Sequence, residues 1–505
     1  VTLRALSTGP VLLITVGLLL AMPVVALATN AGEDRARREA AEFERKGDWR
    51  AAAEAYWKLL GGNRSSAELR DKYLYCLRHV RLNDRHADPV FNKHVQDLPL
   101  AKALTAYLDA LGKVQANYVD RDRIGLSSLF RHGLDELGYA LGDPVFRQAH
   151  LPDADDDAIR TFAAKVRDDW AEAAVTKPDD VRQAVKRIAL DAQKALGVKP
   201  AFVVMEFVCG ACNALDERTA FLPPSEEYTT HVGQLTALGL LVIPTPDGHA
   251  VEKVASGSWA AEAGLKDGDR ITRMAHRDEK DEIGPLTEID VQSRGDMAPR
   301  TVKLPESLPS VVVEDEMALM MTGIAYVRIT SFQRNTLSEL EVALARLRGM
   351  RALILDLRGN PGGLFPVAVQ IAERFLPAGV IVTTQGQAPA FNRTFESRSG
   401  MAAIDVPLVV LIDGETASAA EVLAGALKDN GRAWLIGTPT FGKGTIQTVL
   451  QLTDGGGIRI TLARFFTPQG QPYNGVGVAP NQLQPFRARD AAFDYARNLL
   501  AMRPD

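Results

Sequence analysis

Two residues of the chain have types and settings that suit chemistry: Ser418 in "LIDGETASAAEVLAGALKD" and Lys443 in "GTPTFGKGT". Ser418 follows an apolar run and opens an amphipathic one, the pattern of a strand passing into a helix. At such a junction the first helical N–H groups and the helix dipole favour negative charge developing beside the hydroxyl. Gly437 to Lys443 also copies most of the phosphate-cradling pattern G-x-x-x-x-G-K-[ST]. However, the next residue is Gly444, which has no oxygen for Mg²⁺. "TIQTVLQLT" then alternates and is β-branched, so it reads as a strand where a P-loop needs a helix. The phosphate reading fails, and the lysine is left to serve another reaction.

The residue inventory narrows which reaction. The eight histidines are His79, His86, His94, His132, His150, His231, His249 and His276, and the cysteines are Cys76, Cys209 and Cys212. None lies beyond Val311. A hydrolase built within that region therefore has to use a lysine as its base. Ser418 Oγ would attack a carbonyl and neutral Lys443 would take its proton. The Ala419 N–H, with an N–H from "RGNPGG", would hold the oxyanion. A free lysine titrates near 10.4, so the site must lower that value by about three units to keep a useful neutral fraction at pH 7. Burial near Phe441 works in that direction, and Gly442 and Gly444 let the backbone turn tightly around the lysine.

These residues need a frame to hold them. From Val311 the apolar runs "IAYVRI", "ALILDLR", "VPLVVLID" and "AWLIGT" alternate with helical patterns, which implies an α/β core with a largely parallel sheet and chemistry at the loops beyond its strand ends. The first two hundred residues read as helix. Within them "EFERKGDWRAAAEAYWKLL" resembles one tetratricopeptide unit, but no second copy follows, so a helical hairpin with Trp49 and Tyr56 in its core is expected. From Ser225 the pattern changes to short strands and turns, with "ALGLLVI" followed by "GSWAAEAGLKDGDRI". These residues resemble a PDZ domain of exported proteases. The resemblance implies that the loop at Leu238, Gly239 and Leu240 binds a C-terminal carboxylate while an extended peptide adds to the sheet.

"ALILDLRGNPGG", "DGETASAAEVLAGALKDNGRAWLIGTPTFGKGTIQTV" and "FFTPQGQPYNGVGVAPN" together resemble the C-terminal processing, or tail-specific, proteases, which are exported Ser-Lys peptidases with an embedded PDZ domain. The resemblance runs from about Leu215 to Asn481. It implies Ser418 as nucleophile, Lys443 as general base and Gln447 as the residue orienting the lysine. Glu421 and Asp429 would be supporting groups, and Gly362 or Gly363 the second oxyanion donor. Thr416 and Ala420 replace the serines usual beside the nucleophile, and Asn481 stands where an Asp is common. A catalytically inert envelope scaffold that binds peptide tails is the alternative reading.

The fold class expected is a multidomain α+β chain with a helical N-terminal region, a PDZ-like β module and an α/β peptidase core. The expected divisions are 1–30 (signal peptide or anchor), 31–96 (tetratricopeptide-like), 97–224 (helical), 225–310 (PDZ-like), 311–490 (peptidase) and 491–505 (C-terminal helix). A chain of 505 residues exceeds what one core usually supports. At a net charge of −5 it has no basic excess to attract nucleic acid. The apolar run Val11–Ala28, ending in Ala26-Leu27-Ala28, has the layout of a secretory signal and also the length of a membrane anchor. Either reading exports the body to the periplasm or cell envelope. Cys209-Gly-Ala-Cys212 has redox or half-zinc spacing, but its helical setting favours two small buried residues. No cofactor or metal is expected. The expected partners are proteins or peptides with exposed C-termini, with an adaptor on the helical region and a membrane at the N-terminal segment as further options.

Overall fold

The computed structural model describes residues 22–62, 66–170, 173, 175–224, 232–245, 248–255, 258–279, 282–293, 295–296, 298–305, 310–314, 321–397, 404–485, 494–498 and 500. Most of the apolar N-terminal run thus lies outside the described residues. Among those that are described, no helix is long and apolar enough to cross a membrane. The chain divides into two compact units, residues 1–82 and 83–505.

The first unit contains α1 (Met22–Arg45), α2 (Trp49–Gly62) and most of α3 (Ala67–Ala87). Its core holds Tyr56 among alanines, with Trp49 packed against it. The Trp49 ring stacks on His79 at 4.0 Å, and Tyr56 donates its hydroxyl proton to Glu44 at 2.9 Å.

The second unit opens with seven helices: α4 (Pro89–Asp97), α5 (Leu100–Asn117), α6 (Leu126–Gly142), α7 (Pro144–His150), α8 (Asp156–Trp170), α9 (Pro178–Leu196) and α10 (Pro200–Asn213). Nearly all of α10 is buried, as its continuously apolar sequence requires. Cys209 and Cys212 are therefore interior, unbridged residues, and burial pushes the Cys209 thiol well up, away from the reactive thiolate. Among the described residues no His/Cys/Asp/Glu group could hold a metal ion.

A short strand, β1 (Ala220–Leu222), leads into a five-stranded antiparallel module ordered β2 (Leu240–Thr245), β3 (Gly248–Val254), β4 (Arg270–Glu279), β5 (Glu282–Gln292) and β6 (Arg300–Lys303). Its core takes Leu235 from α11 (Val232–Ala237) and Ala260 from α12 (Trp259–Glu262), whose first turn is capped by the Ser258 hydroxyl.

The rest is two sheets. One has the order β16 (Gln482–Leu483), β13 (Trp434–Gly437), β12 (Leu408–Ile412), β9 (Ala352–Asp356), β8 (Ile324–Ile329) and β7 (Val312–Glu314), parallel throughout except at β7. It packs with α13 (Thr336–Arg346), α14 (Phe365–Phe375) and α15 (Ala419–Asp429). Residues 494–498 are helical, and Ala496 joins the core cluster of Ile354 and Leu411. The second sheet is antiparallel and centres on β15 (Gly457–Phe466), which pairs with β14 (Thr445–Gln451), with β1 and with β10 (Gly379–Gly386); β11 (Arg393–Ser397) extends it beyond β10. "TIQTVLQ" is thus a strand, as its alternation requires. The pairing of β1 with β15 means that the segment ending near residue 224 contributes directly to the peptidase-like sheets, and the β2–β6 module is an insertion after it.

Strands β9, β12 and β13 are adjacent and parallel, so the loops that follow them emerge at one sheet edge. Those loops are "RGNPGG", "DGETAS" and "TPTFGKG". Sheet order therefore brings together three segments that are separated in sequence.

Candidate active site

The loops after β9 and β12 are tied by two side chains. Asp413 accepts from the N–H groups of Gly359, Glu415 and Thr416. Asn360, fully buried, donates to the Ile329 carbonyl and accepts from the Gly362 N–H at 2.8 Å, while its own carbonyl receives the Ala417 N–H at 2.9 Å. This frame holds Ser418 at φ 55° and ψ −118°, a positive-φ conformation that non-glycine residues rarely adopt, at a cost of about 1–3 kcal/mol. Among the described residues Ser418 is the one non-glycine at positive φ. Ser418 stands at the N-cap of α15, where the Glu421 carboxylate accepts from the Ser418 N–H at 2.8 Å.

Glu421 also joins this turn to the lysine loop. Its Oε2 accepts from the N–H groups of Ser418 and Lys443, each at 2.8 Å, so those two nitrogens are at most twice that distance apart. Its Oε1 accepts from the Gly442 N–H at 2.7 Å and the Thr440 hydroxyl at 2.5 Å. Burial pushes this carboxyl up, against the opposing pull of its four donors. The Phe441 N–H bonds the Thr416 carbonyl, which closes the lysine loop onto the serine loop a second time. Gly444 is explained sterically: a Cβ there would lie 2.2 Å from the Asn474 nitrogen and 2.6 Å from the Tyr473 Cβ.

Lys443 is a half-buried residue whose amine is lowered to about 8, chiefly by burial. Arg218 and Arg459 lower it further, while Glu252 and Glu421 raise it. Its amine makes no hydrogen bond or ion pair with a described residue.

The two glycines are not equivalent. Gly362 has its Cα against the serine turn, where an added Cβ would meet Ser418 Cβ at 2.8 Å and the Ala419 nitrogen at 3.0 Å, but its N–H is taken by Asn360. Gly363 bridges Phe332 in parallel: Phe332 N–H bonds the Gly362 carbonyl and Leu364 N–H bonds the Phe332 carbonyl. That pattern turns the Gly363 N–H away from Phe332, and it makes no hydrogen bond to a described residue. The Ala419 N–H, in the first turn of α15, is likewise without an acceptor among the described residues.

The other expected residues make no hydrogen bond to Ser418, Lys443 or Glu421 among the described residues. Gln447, on β14, donates to the Thr445 hydroxyl at 2.5 Å and the Thr461 hydroxyl at 3.5 Å and has no bond to Lys443. Asp429 sits at the far end of α15, where it accepts from the Gln469 N–H. At the Leu238–Leu240 turn, the Leu238 and Gly239 N–H groups bond the last carbonyls around α11, and the Leu238 and Leu240 side chains are in the module core. The sequence reading missed Asn360, Asp413 and Thr440, although each lies inside a quoted motif. It also missed Arg218 and Glu252, for which no local signal exists.

The profile of peptidase family S41 matches residues 323–483. The carboxyl-terminal-processing protease of Synechocystis sp. is 37% identical over 295 residues, covering 53% of this chain and 68% of that protein. Its counterpart in Picosynechococcus sp. is 35% identical over 293 residues, covering 54% and 70%. Among solved structures, the photosystem II D1 C-terminal processing protease aligns at 25% identity with a TM-score of 0.45, covering 79% of this chain and 97% of that one.

Proposed function

Because this chain belongs to the carboxyl-terminal-processing proteases of peptidase family S41, and is a serine-type endopeptidase acting on protein substrates, we propose that Ser418 is its nucleophile and Lys443 its general base. Neutral Lys443 takes the Ser418 proton as Oγ attacks the scissile carbonyl. The tetrahedral oxyanion is received by the N–H groups of Ala419 and Gly363. The lysine ammonium then gives its proton to the leaving amine, and an ester to Ser418 remains. Water, deprotonated by the same lysine, attacks that ester and frees the serine.

The observation that carries this reading is the single buried carboxylate of Glu421, which holds the strained Ser418 turn and the Lys443 loop together. It is supported by the lowered amine and by the Ala419 and Gly363 N–H groups, which have no acceptor among the described residues. Gly363 is preferred to Gly362 because the Gly362 N–H already has an acceptor. Gln447 is assigned the lesser task of keeping the start of β14 in register behind the lysine. Asp429 supports the Gln469 turn.

Recognition of the substrate tail is assigned to the outer edge of β2, an edge strand to which an extended peptide can add. The turn before it has used its Leu238 and Gly239 N–H groups, so the strand edge is the better surface. Export rests on the N-terminal sequence pattern alone.

The test is cleavage of a reporter with an exposed apolar C-terminal tail, followed by mass spectrometry of the products. Ser418→Ala and Lys443→Ala should each lose at least about a thousand-fold in kcat/KM, and the double variant should lose little more, as groups acting as one unit do. Full activity in either single variant refutes the dyad.

A further inference from the structure

Strand β3 of the inserted module carries a bulge. Leu241 pairs with Lys253 and Val242 with Val251, which leaves Glu252 as the extra residue without a partner across the strand. A bulge re-aims side chains that strict alternation would send to opposite faces. Here both neighbours reach toward the peptidase. Glu252 takes both terminal nitrogens of Arg218, at 3.1 and 2.8 Å, in a pair whose side chains are 14% and 7% exposed respectively. Lys253 bonds Asp267 at 2.7 Å and lies 3.5 Å from Glu415, three residues before the nucleophile.

Arg218 precedes β1, and its carbonyl accepts from the Arg459 side chain on β15 at 2.6 Å. The charged groups acting on Lys443 are thus Glu252 from β3, Arg218 from the segment before β1, Arg459 from β15 and Glu421 from α15. Two are cationic and two anionic. Glu421 is already committed to four donors, so Glu252 is the anion that offsets the two arginines.

We propose that Glu252, carried by the β3 bulge onto Arg218, is a positioning residue of the peptidase site through which the inserted module sets the charge balance around Lys443. This rests on Lys443 being the base. Removing the anion takes away the pull that raises the amine and leaves the lowering effect of Arg218 and Arg459 unopposed by Glu252. Removing Arg218 takes away one of the charges that lower it and leaves the effect of Glu252 in place. The two changes therefore act in opposite directions on the lysine, although each breaks the same ion pair.

The experiment is the pH dependence of kcat/KM on the tailed reporter for the full chain. Glu252→Gln should move the acid limb about one pH unit down, which raises activity relative to the plateau at pH 6 about tenfold. Arg218→Met should move the limb up by a similar amount, and the double variant should return it toward that of the parent. Arg218→Lys, which keeps the charge, should leave the limb in place even if the plateau falls. Limbs that coincide with the parent's, or that move the same way in both single variants, overturn the inference. If Glu252→Gln does not fold, Arg218→Met against Arg218→Lys decides it on the same readout. Loss of activity in Lys443→Ala, measured alongside, keeps failure of this inference distinct from failure of the base assignment.

Discussion

Replacing Lys443 by Met should destroy activity and make the protein more stable. The amine is lowered from 10.5 to about 8, mainly by burial. Holding an ammonium there at neutral pH costs about 3 kcal/mol at 1.36 kcal/mol per unit, reduced to about 2–3 kcal/mol because the half-buried residue is partly screened by water. Methionine removes the charge and keeps most of the apolar stem. It strands no partner, because Glu252 keeps Arg218 and Glu421 keeps its four donors. The sign with pH is specific. Below about pH 8 both folded and unfolded chains carry the proton, so the whole cost falls on the folded parent. Between about 8 and 10.5 the folded parent releases its proton while the unfolded chain keeps it, and the parent regains stability as pH rises. The advantage of Lys443→Met should therefore be greatest at pH 7 and shrink to under about 1 kcal/mol by pH 10. Thermal unfolding in a Ser418→Ala background, which prevents self-cleavage, should show the melting transition about 2–3 °C higher at pH 7 and nearly unchanged at pH 10. No gain at pH 7, or a gain equal at both pH values, would refute the claim that a half-buried, depressed lysine sits at this site.

Two further outcomes follow from the same geometry. Glu421→Gln should cost about 2–4 kcal/mol in a denaturant melt and at least about a hundred-fold in activity, since an NH₂ group then faces two N–H donors that lose their acceptor. Near-parental stability would mean that the carboxylate is not what joins the two loops. Gly362→Ala should lose activity and about 2–4 kcal/mol, because its φ is 103° and the new Cβ would press on Ser418 Cβ at 2.8 Å; a fully active alanine variant would show that the serine turn can yield there.

The elements around the site were legible because their signals are local. An apolar run such as "LVVLI" is a buried strand wherever it sits, and "TIQTVLQ" alternates as a strand must. Ser418 and Lys443 could be named because the absence of histidine and cysteine beyond Val311 left few bases, and because the residue after the lysine is a glycine. Glu421 was named only through the family resemblance, as a supporting group; its bond to the Ser418 N–H spans one helical turn, but its second reach, to the Lys443 loop, is not a local property.

The rest was decided by tertiary structure. Whether Gly362 or Gly363 can offer an N–H depends on the Asn360 side chain and on a bridge to Phe332, some thirty residues upstream, and no spacing rule encodes that competition. Gln447 has the spacing to face Lys443, yet a register shift between Ile446 and Gln447 and the nearby hydroxyls of Thr445 and Thr461 take its amide elsewhere. Arg218 and Glu252 come from segments far from the dyad in sequence, and only the pairing of β1 with β15 and the bulge in β3 bring them to the lysine. Sequence alone narrowed the candidate groups for the proposed chemistry, because side-chain type and local pattern are properties of short segments. The fold decided which of them meet and what charge the lysine bears, because burial and electrostatic neighbours are set by contacts between distant parts of the chain.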